Sequence, residues 1–502
     1  MDFNYTGYKG SITVYLALTL TIILSLLFCV IESARISSLK TRSKAISYMA
    51  ADSAFGEFAR PLFEKYGLFG VFSTEEDFLT DIKNYAVKNS SPGNITFNTS
   101  FSLLNLKLKD ISYNNIYHLT DNDGIFFAKQ ATAYEKYRII AGKLKEFTGL
   151  NDAVTKGSLN TPAYIDEHGA CIDNKSLSVL NDMSGSKSSL YKDSSYSSAK
   201  SLEENIASKV TNLLKSNLLL FFIDDGYTIS HTALADKTKE TLPSHICVLS
   251  EEARAIQAGS ISDFITAAVD KGLFASYINS SFSSYADASV NTDLSLKYQR
   301  EYILSGLSAD DDNLLSAALS IISLRAAFNL TFLLTDAPKR DAAVNLANSI
   351  TFYTPFASQL AAFTILSLWS YAEAIIDTKD LFHGQKVPLM KTADTWTLSL
   401  EGILTLGKST ESKNDGSSGY TYDEYLNMCL FIMEPFTMYY RCMDLIQLDM
   451  CENINPDFHM NSCIVASDIH LLYEAKPLFS SVILLASPDI YTFSVDTLYG
   501  YD

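Results

Sequence analysis

The chain has 502 residues, of which 47% are hydrophobic and 12% aromatic, and its formal net charge is −18. Such a composition is globular rather than disordered, and the length sets a soft ceiling of about three domains. Residues 1–60 hold six basic and four acidic side chains, which leaves 33 basic against 53 acidic over the rest, a net of −20 that repels phosphate backbones and excludes nucleic acid as a partner.

After a short segment, residues 1–10, comes an apolar run of 21 residues, 11–31, SITVYLALTLTIILSLLFCVI. It opens on Ser11, closes on Ile31 and contains no charged side chain, enough to cross a bilayer core of ~30 Å as a helix. The run is longer than a usual signal-peptide core, and no A-x-A site follows before Glu32, so a retained anchor is expected. Residues 32–60 continue in helical period. Leu39, Ile46, Met49, Ala50, Ala54, Phe55 and Phe58 recur at steps of three and four, and Pro61 is expected to end or kink the helix.

Period two follows. Leu104, Leu106, Leu108 and Ile111 form the spine of a strand region that ends near His118. Residues 125–150 return to helix, and residues 174–202, rich in Ser and Lys, read as a loop. Helices dominate from about 203 to 448. Two apolar stretches there, 314–334 and 355–376, are long enough to span a membrane, but the first carries Arg325 and Asn329 and the second Gln359 and Glu373. A central Arg costs roughly 2.5–3.5 kcal/mol on insertion scales, so both read as buried helices of a bundle. Residues 407–420 form a second loop, and strand patterns return at 462–473, 480–486 and 490–498.

The expected fold class is therefore α+β. A transmembrane helix continues into an amphipathic one. Residues 61–120 and 455–502 build a small antiparallel sheet against it, and residues 121–454 form a mainly helical insertion.

Few motifs suggest chemistry. Gly402, Gly407, Lys408 and Ser409 complete a G-x4-G-K-S pattern, but the turn-rich TESKNDGSSG that follows cannot supply the helix a phosphate loop needs. Residues 218–225 imitate a Walker B strand yet precede the loop, opposite to the usual order. Nucleotide binding is rejected on that context. Asp121-Asn122-Asp123-Gly124 lacks the spacing of a calcium loop and reads as a turn joining strand to helix. Glu373, Asp377 and Asp380 share one helical face. Such carboxylates can hold metal or do acid–base work, but the face reads as solvated or paired with Lys379, Lys386 or Lys391, which are close in sequence.

The seven histidines (His118, His168, His231, His245, His383, His459 and His470) make no HExxH, and no G-x-S-x-G occurs. Trp369 and Trp396 read as core anchors. Of seven cysteines, Cys29 lies in the apolar run. Cys442, Cys451 and Cys463 are the candidate disulfide cluster if the body is extracytoplasmic, and otherwise small buried apolar side chains. No catalytic residue, metal or cofactor is expected.

Lys9-Gly10-Ser11-Ile12-Thr13-Val14-Tyr15, the apolar run, and Ile31-Glu32-Ser33-Ala34-Arg35 together resemble the N-terminus of TadE-like pseudopilins. Other stretches resemble a large family of uncharacterised Gram-positive membrane proteins encoded near Tad (Flp-type) pilus genes. They are Tyr66-Gly67-Leu68-Phe69, Leu119-Thr120-Asp121-Asn122-Asp123-Gly124 with Gln130, and Glu301-Tyr302-Ile303-Leu304-Ser305-Gly306. The remaining three are Trp369-Ser370-Tyr371-Ala372-Glu373-Ala374, Gly384-Gln385-Lys386-Val387-Pro388-Leu389 and Arg441-Cys442-Met443-Asp444-Leu445-Ile446-Gln447.

The resemblance implies a cell-surface, structural or accessory role, with processing between Gly10 and Ser11 as its candidate maturation step. It also implies Tad-type pilus or secretion-assembly proteins as partners alongside the lipid bilayer. Tyr15 stands where pilins carry Glu, which points to an accessory part rather than a filament subunit. Thr13, Ala17, Thr19, Thr21 and Ser25 are the small or polar residues available for lateral helix contacts. Arg35, Lys40, Arg42 and Lys44 outnumber Lys9, so a bare charge count places the body inside. The resemblance places it outside with the N-terminus cytoplasmic, and long domains translocate despite flanking charge. The second function class is a membrane-anchored ligand-binding, sensor or hydrolase ectodomain, which requires a pocket in the helical region.

Overall fold

Nothing between Ser11 and Gly56 interrupts a helix, because the stretch holds no Gly or Pro. In a computed structural model, which describes residues 9–90, 104–149, 207–210, 218–223, 229–246, 261–351, 355–405, 412–414, 416–478 and 490–501, one helix, α1, runs Lys9–Phe55. At ~1.5 Å per residue it is ~70 Å long. Helix was expected to continue to Arg60 and end or kink at Pro61. Instead it stops before Gly56, and Pro61 sits in the first turn of the next helix, α2 (Arg60–Tyr66). A first-turn N–H has no helical partner, so proline is tolerated there.

The sheet strands are β1 (Val71–Phe72), β2 (Lys107–His118), β3 (Cys463–Ala475) and β4 (Tyr491–Gly500). The other principal helices are α3 (Glu75–Ser90), α4 (Ile125–Gly149), α5 (Ile261–Ser281), α6 (Gln299–Ser305), α7 (Asp310–Thr335), α8 (Ala337–Thr351), α9 (Pro355–Phe382), α10 (Tyr422–Ile432) and α11 (Pro435–Asn453). The chain is α+β. It forms two compact units, residues 1–134, 235–281 and 434–502 in the first, and residues 135–234 and 282–433 in the second.

In the first unit β3 is the central strand. It pairs antiparallel with β2 along one edge and with β4 and β1 along the other. The expected pairing of residues 100–118 with the C-terminal strands is present, with Ser112 opposite His470 and His470 opposite Asp496. β3 alternates buried and half-buried residues from Ser467 to Ala475, and its buried side meets α1 and α3. Leu39, Ile46, Ala50, Ala54 and Phe55 of α1 share that core with Phe78, Ile82, Ile469, Leu471, Tyr473 and Val495. Met49, expected on the stripe, is 54% exposed.

The second unit packs α7, α8 and α9 side by side. Phe222, Tyr285, Phe382 and Tyr422 form a ring cluster near α10. The expected strand 480–486, the loop 174–202, and Cys171, Cys247, Gly407, Lys408 and Ser409 lie outside the described residues.

Candidate functional site

Among the described residues three helices are long and apolar enough to cross a membrane: α1, α7 and α9. They differ in where their surfaces go. The apolar half of α1 is left unburied, and Ile12, Leu16, Leu20, Ile23 and Leu27 are all about half exposed or more. α7 and α9 instead pack on each other and bury Arg325, Asn329, Glu373 and Asp377. A charge-free run of bare side chains of that length fits a lipid setting, and α1 is the membrane anchor of this chain.

The polar residues of α1 are handled locally. Thr19 donates to the Tyr15 and Leu16 carbonyls and Thr21 to that of Ala17. Where the apolar run ends, Glu32 and Arg35 are 3% and 6% exposed and pair at 2.8 Å, and Arg35 also donates to the Lys476 carbonyl. Arg42 donates to the Leu104 and Ser90 carbonyls. Two of the four basic residues after the run are thus committed to the body rather than to a membrane surface.

The face bearing Glu373, Asp377 and Asp380 turns inward. Arg325 reaches Asp377 Oδ2 at 2.9 Å, and Asn329 donates to the same oxygen. Lys391 Nζ lies 2.6 Å from Asp377 Oδ1 and also contacts Glu373 Oε1. The Glu373 carboxylate further accepts from the Thr397 and Leu398 amides. Arg325 also donates to the Pro388 and Leu389 carbonyls and to the Tyr425 hydroxyl. Burial alone would raise the Asp377 carboxyl, but Lys391 and Arg325 outweigh it and hold it below the usual carboxylate range. Burial would lower Lys391 and Arg325, yet their anionic partners hold both above their ordinary values. Asp380 stands apart, its carboxyl raised by burial against bonds from Ser412 and Asn414. With charges matched and donors engaged, the cluster suits a structural clamp better than acid–base chemistry.

What the clamp positions is the wall of a cavity of about 840 Å³ in the second unit. Lys339, Leu346, Trp369, Trp396, Leu398 and Lys413 line it. Both indole N–H groups donate to the Leu398 carbonyl, at 3.1 and 2.7 Å, so both tryptophans are locked as core anchors. Lys339 pairs with Asp336 and lies over the Phe332 and Trp396 rings.

The remaining sequence candidates separate. Gly402 lies inside a short 3₁₀ helix, Glu401–Thr405, and residues 218–222 of the Walker B imitation are helical rather than a strand. Asp121 accepts from the His118 amide in a turn that leads into α4. Cys442, Cys451 and Cys463 are free thiols, and burial raises all three. Among the described residues no group of three or more His, Cys, Asp and Glu is placed to hold a metal.

Sequence reasoning missed a role for isolated polar residues inside the helices. Their side chains bond backbone in turns, loops and a helix end. Gln130 accepts from the Phe69 amide, Glu301 from that of Tyr285, and Asp444 from that of Ser244. Gln447 bonds the Thr241 carbonyl and the Met460 amide. The signal was there as isolated Gln, Glu and Asp inside apolar helical runs, the pattern of buried polar groups that need partners.

Comparison with curated proteins and with solved structures returns no match. A model of a family of unknown function, DUF5702, matches residues 196–475, more than half of the chain, and the chain belongs to that family.

Proposed function

We propose that this protein is a membrane-anchored structural or accessory component of a surface assembly, of the kind that Tad-type pilus systems use, with its body outside the cytoplasm. One observation carries the reading: a single helix presents bare hydrocarbon along its first half and packs its second half against a four-stranded antiparallel sheet. That plan suits lateral packing of helices in a membrane while the body is displayed. The internal ties of Arg35 and Arg42 support the outward orientation, since they weaken the positive-charge count against it. The test places two charges in the anchor, Leu20→Lys with Ile23→Lys, and follows membrane partition and protease shaving of intact cells. Loss of surface display and of co-assembly with pilus proteins is expected. Display of a normal level of body by the charged variant would defeat the proposal.

The cavity favours a second reading, a ligand-binding ectodomain. Trp369 and Trp396, the chain's two tryptophans, both line it, so an occupant would change tryptophan emission. A small-molecule screen on the full chain that produced no change would remove this second reading.

A further inference from the structure

The three side chains that open α6 hold one irregular segment, residues 282–298. Gln299 accepts from the Ser283 amide and donates to the Asn291 and Leu296 carbonyls. Arg300 donates to the Phe282 carbonyl and pairs with Asp423 at 3.2 Å and Asp287 at 3.7 Å. Glu301 takes the Tyr285 amide and the Tyr422 hydroxyl on one oxygen, Oε1, each at 2.9 Å. The second oxygen, Oε2, is buried and receives no hydrogen bond, and the residue is 0% exposed. The tip of the segment, by contrast, is open to solvent around Ala286, Ala288 and Ser289.

Arg300 is matched by Asp423 and Asp287. Tyr298 and Tyr422 are pushed up by burial and stay neutral, as does the Cys429 thiol, pushed up to about 12. Asp310, at the start of α7, is tied to Ser230 and to the Lys297 and Tyr298 amides, and burial raises its carboxyl against those bonds, so Glu301→Gln is the variant that separates the two carboxyls. Burial pushes the Glu301 carboxyl up to about 7, against the opposing pull of the Tyr285 amide, its own amide, the Tyr422 hydroxyl and the Arg300 charge.

We propose that Glu301 is a proton-operated latch on residues 282–298: with the carboxyl neutral the segment is closed on α6 and α10, and with the carboxyl ionised the segment opens to bring water to Oε2. The sign follows from linkage. The closed state holds the proton more tightly than the open one, so opening becomes more favourable as pH rises from the ordinary Glu range to about 7, then levels off. No other part of the proposed function depends on it.

The test is hydrogen exchange of peptides from residues 282–298 in the full chain, corrected for the intrinsic pH dependence of exchange. Protection should fall about tenfold per pH unit between roughly 5 and 7 and then flatten. Glu301→Gln, which mimics the neutral form, should keep the segment protected at every pH. Tyr422→Phe removes a donor to the carboxylate, so its levelling point should move to higher pH, and it serves if the glutamine variant fails to fold. A flat wild-type profile, an unchanged slope in Glu301→Gln, or an unmoved levelling point in Tyr422→Phe would each overturn the latch.

Discussion

Asp377 is the side chain on which the interior charge of the second unit balances. It faces Arg325 and Lys391, both fully buried at their side chains. Removing one partner of a buried pair leaves uncompensated charge in low dielectric and costs about 3–5 kcal/mol. Asp377→Ala should therefore lower stability by about that amount in urea unfolding followed by emission of Trp369 and Trp396. A loss below about 1 kcal/mol would show that the cluster holds little. The pH dependence has a definite sign. A carboxyl held below its ordinary range contributes stability that is present above the unfolded pKa and is lost as pH falls through the depressed folded value. Acid should thus weaken the wild-type second unit more steeply than Asp377→Ala, measured as urea midpoints below about pH 4. The helical spacing of Glu373, Asp377 and Asp380 was enough to place them on one face, and Arg325 and Asn329 were enough to argue against a membrane span. The partners were not legible. Of the three nearby lysines only Lys391 turns inward, while Lys379 lies over the Phe221 ring and Lys386 is exposed, and loop geometry alone decides between them.

For the elements, turn chemistry and strand alternation were the readable parts and helix ends the unreadable ones. The alternation of β3 from Ser467 to Ala475 marks a strand with one buried side, and it pairs as its pattern demands. The stripe on α1 was harder to place because its buried face includes Ser43 and Ser47, and Ser47 is accommodated by the Tyr473 hydroxyl at 3.0 Å. A hydrophobicity pattern passes over such serines and promotes neighbours such as Met49. Gly67 closes α2 at φ +68°, a left-handed conformation that costs other residues roughly 1 kcal/mol. A Cβ there would also sit 2.1 Å from the Tyr134 ring. Gly67→Ala should destabilise the first unit by about 2 kcal/mol or more, checked by thermal unfolding. Trimming the ring as well, in Gly67→Ala with Tyr134→Ala, should relieve the clash but not the strain, so the double variant should lose less than the two single losses added together.

In the whole molecule, the boundary of the family match and the boundary of the folded units do not coincide. The matched residues, 196–475, include all of β3 but none of β1, β2 or β4, and they omit α1 and α3. β3 is the strand on which the sheet is built, and its buried residues Ile469, Leu471 and Tyr473 are covered by α1 and α3. A fragment limited to 196–475 would carry a thirteen-residue strand with both edges unpaired and its apolar side uncovered. That fragment should aggregate or run as a mixture in size-exclusion chromatography. Residues 32–502, which keep every strand and the packed half of α1, should run as a single soluble species once the bare hydrocarbon of residues 12–31 is gone. A monodisperse 196–475 fragment with intact strand signal would mean that β3 finds other partners, and the sheet would no longer be the link between the anchor and the matched segment. If it aggregates as expected, anchoring and folding are one structural problem in this chain, because the strand at the centre of the sheet that covers α1 is itself part of the family segment.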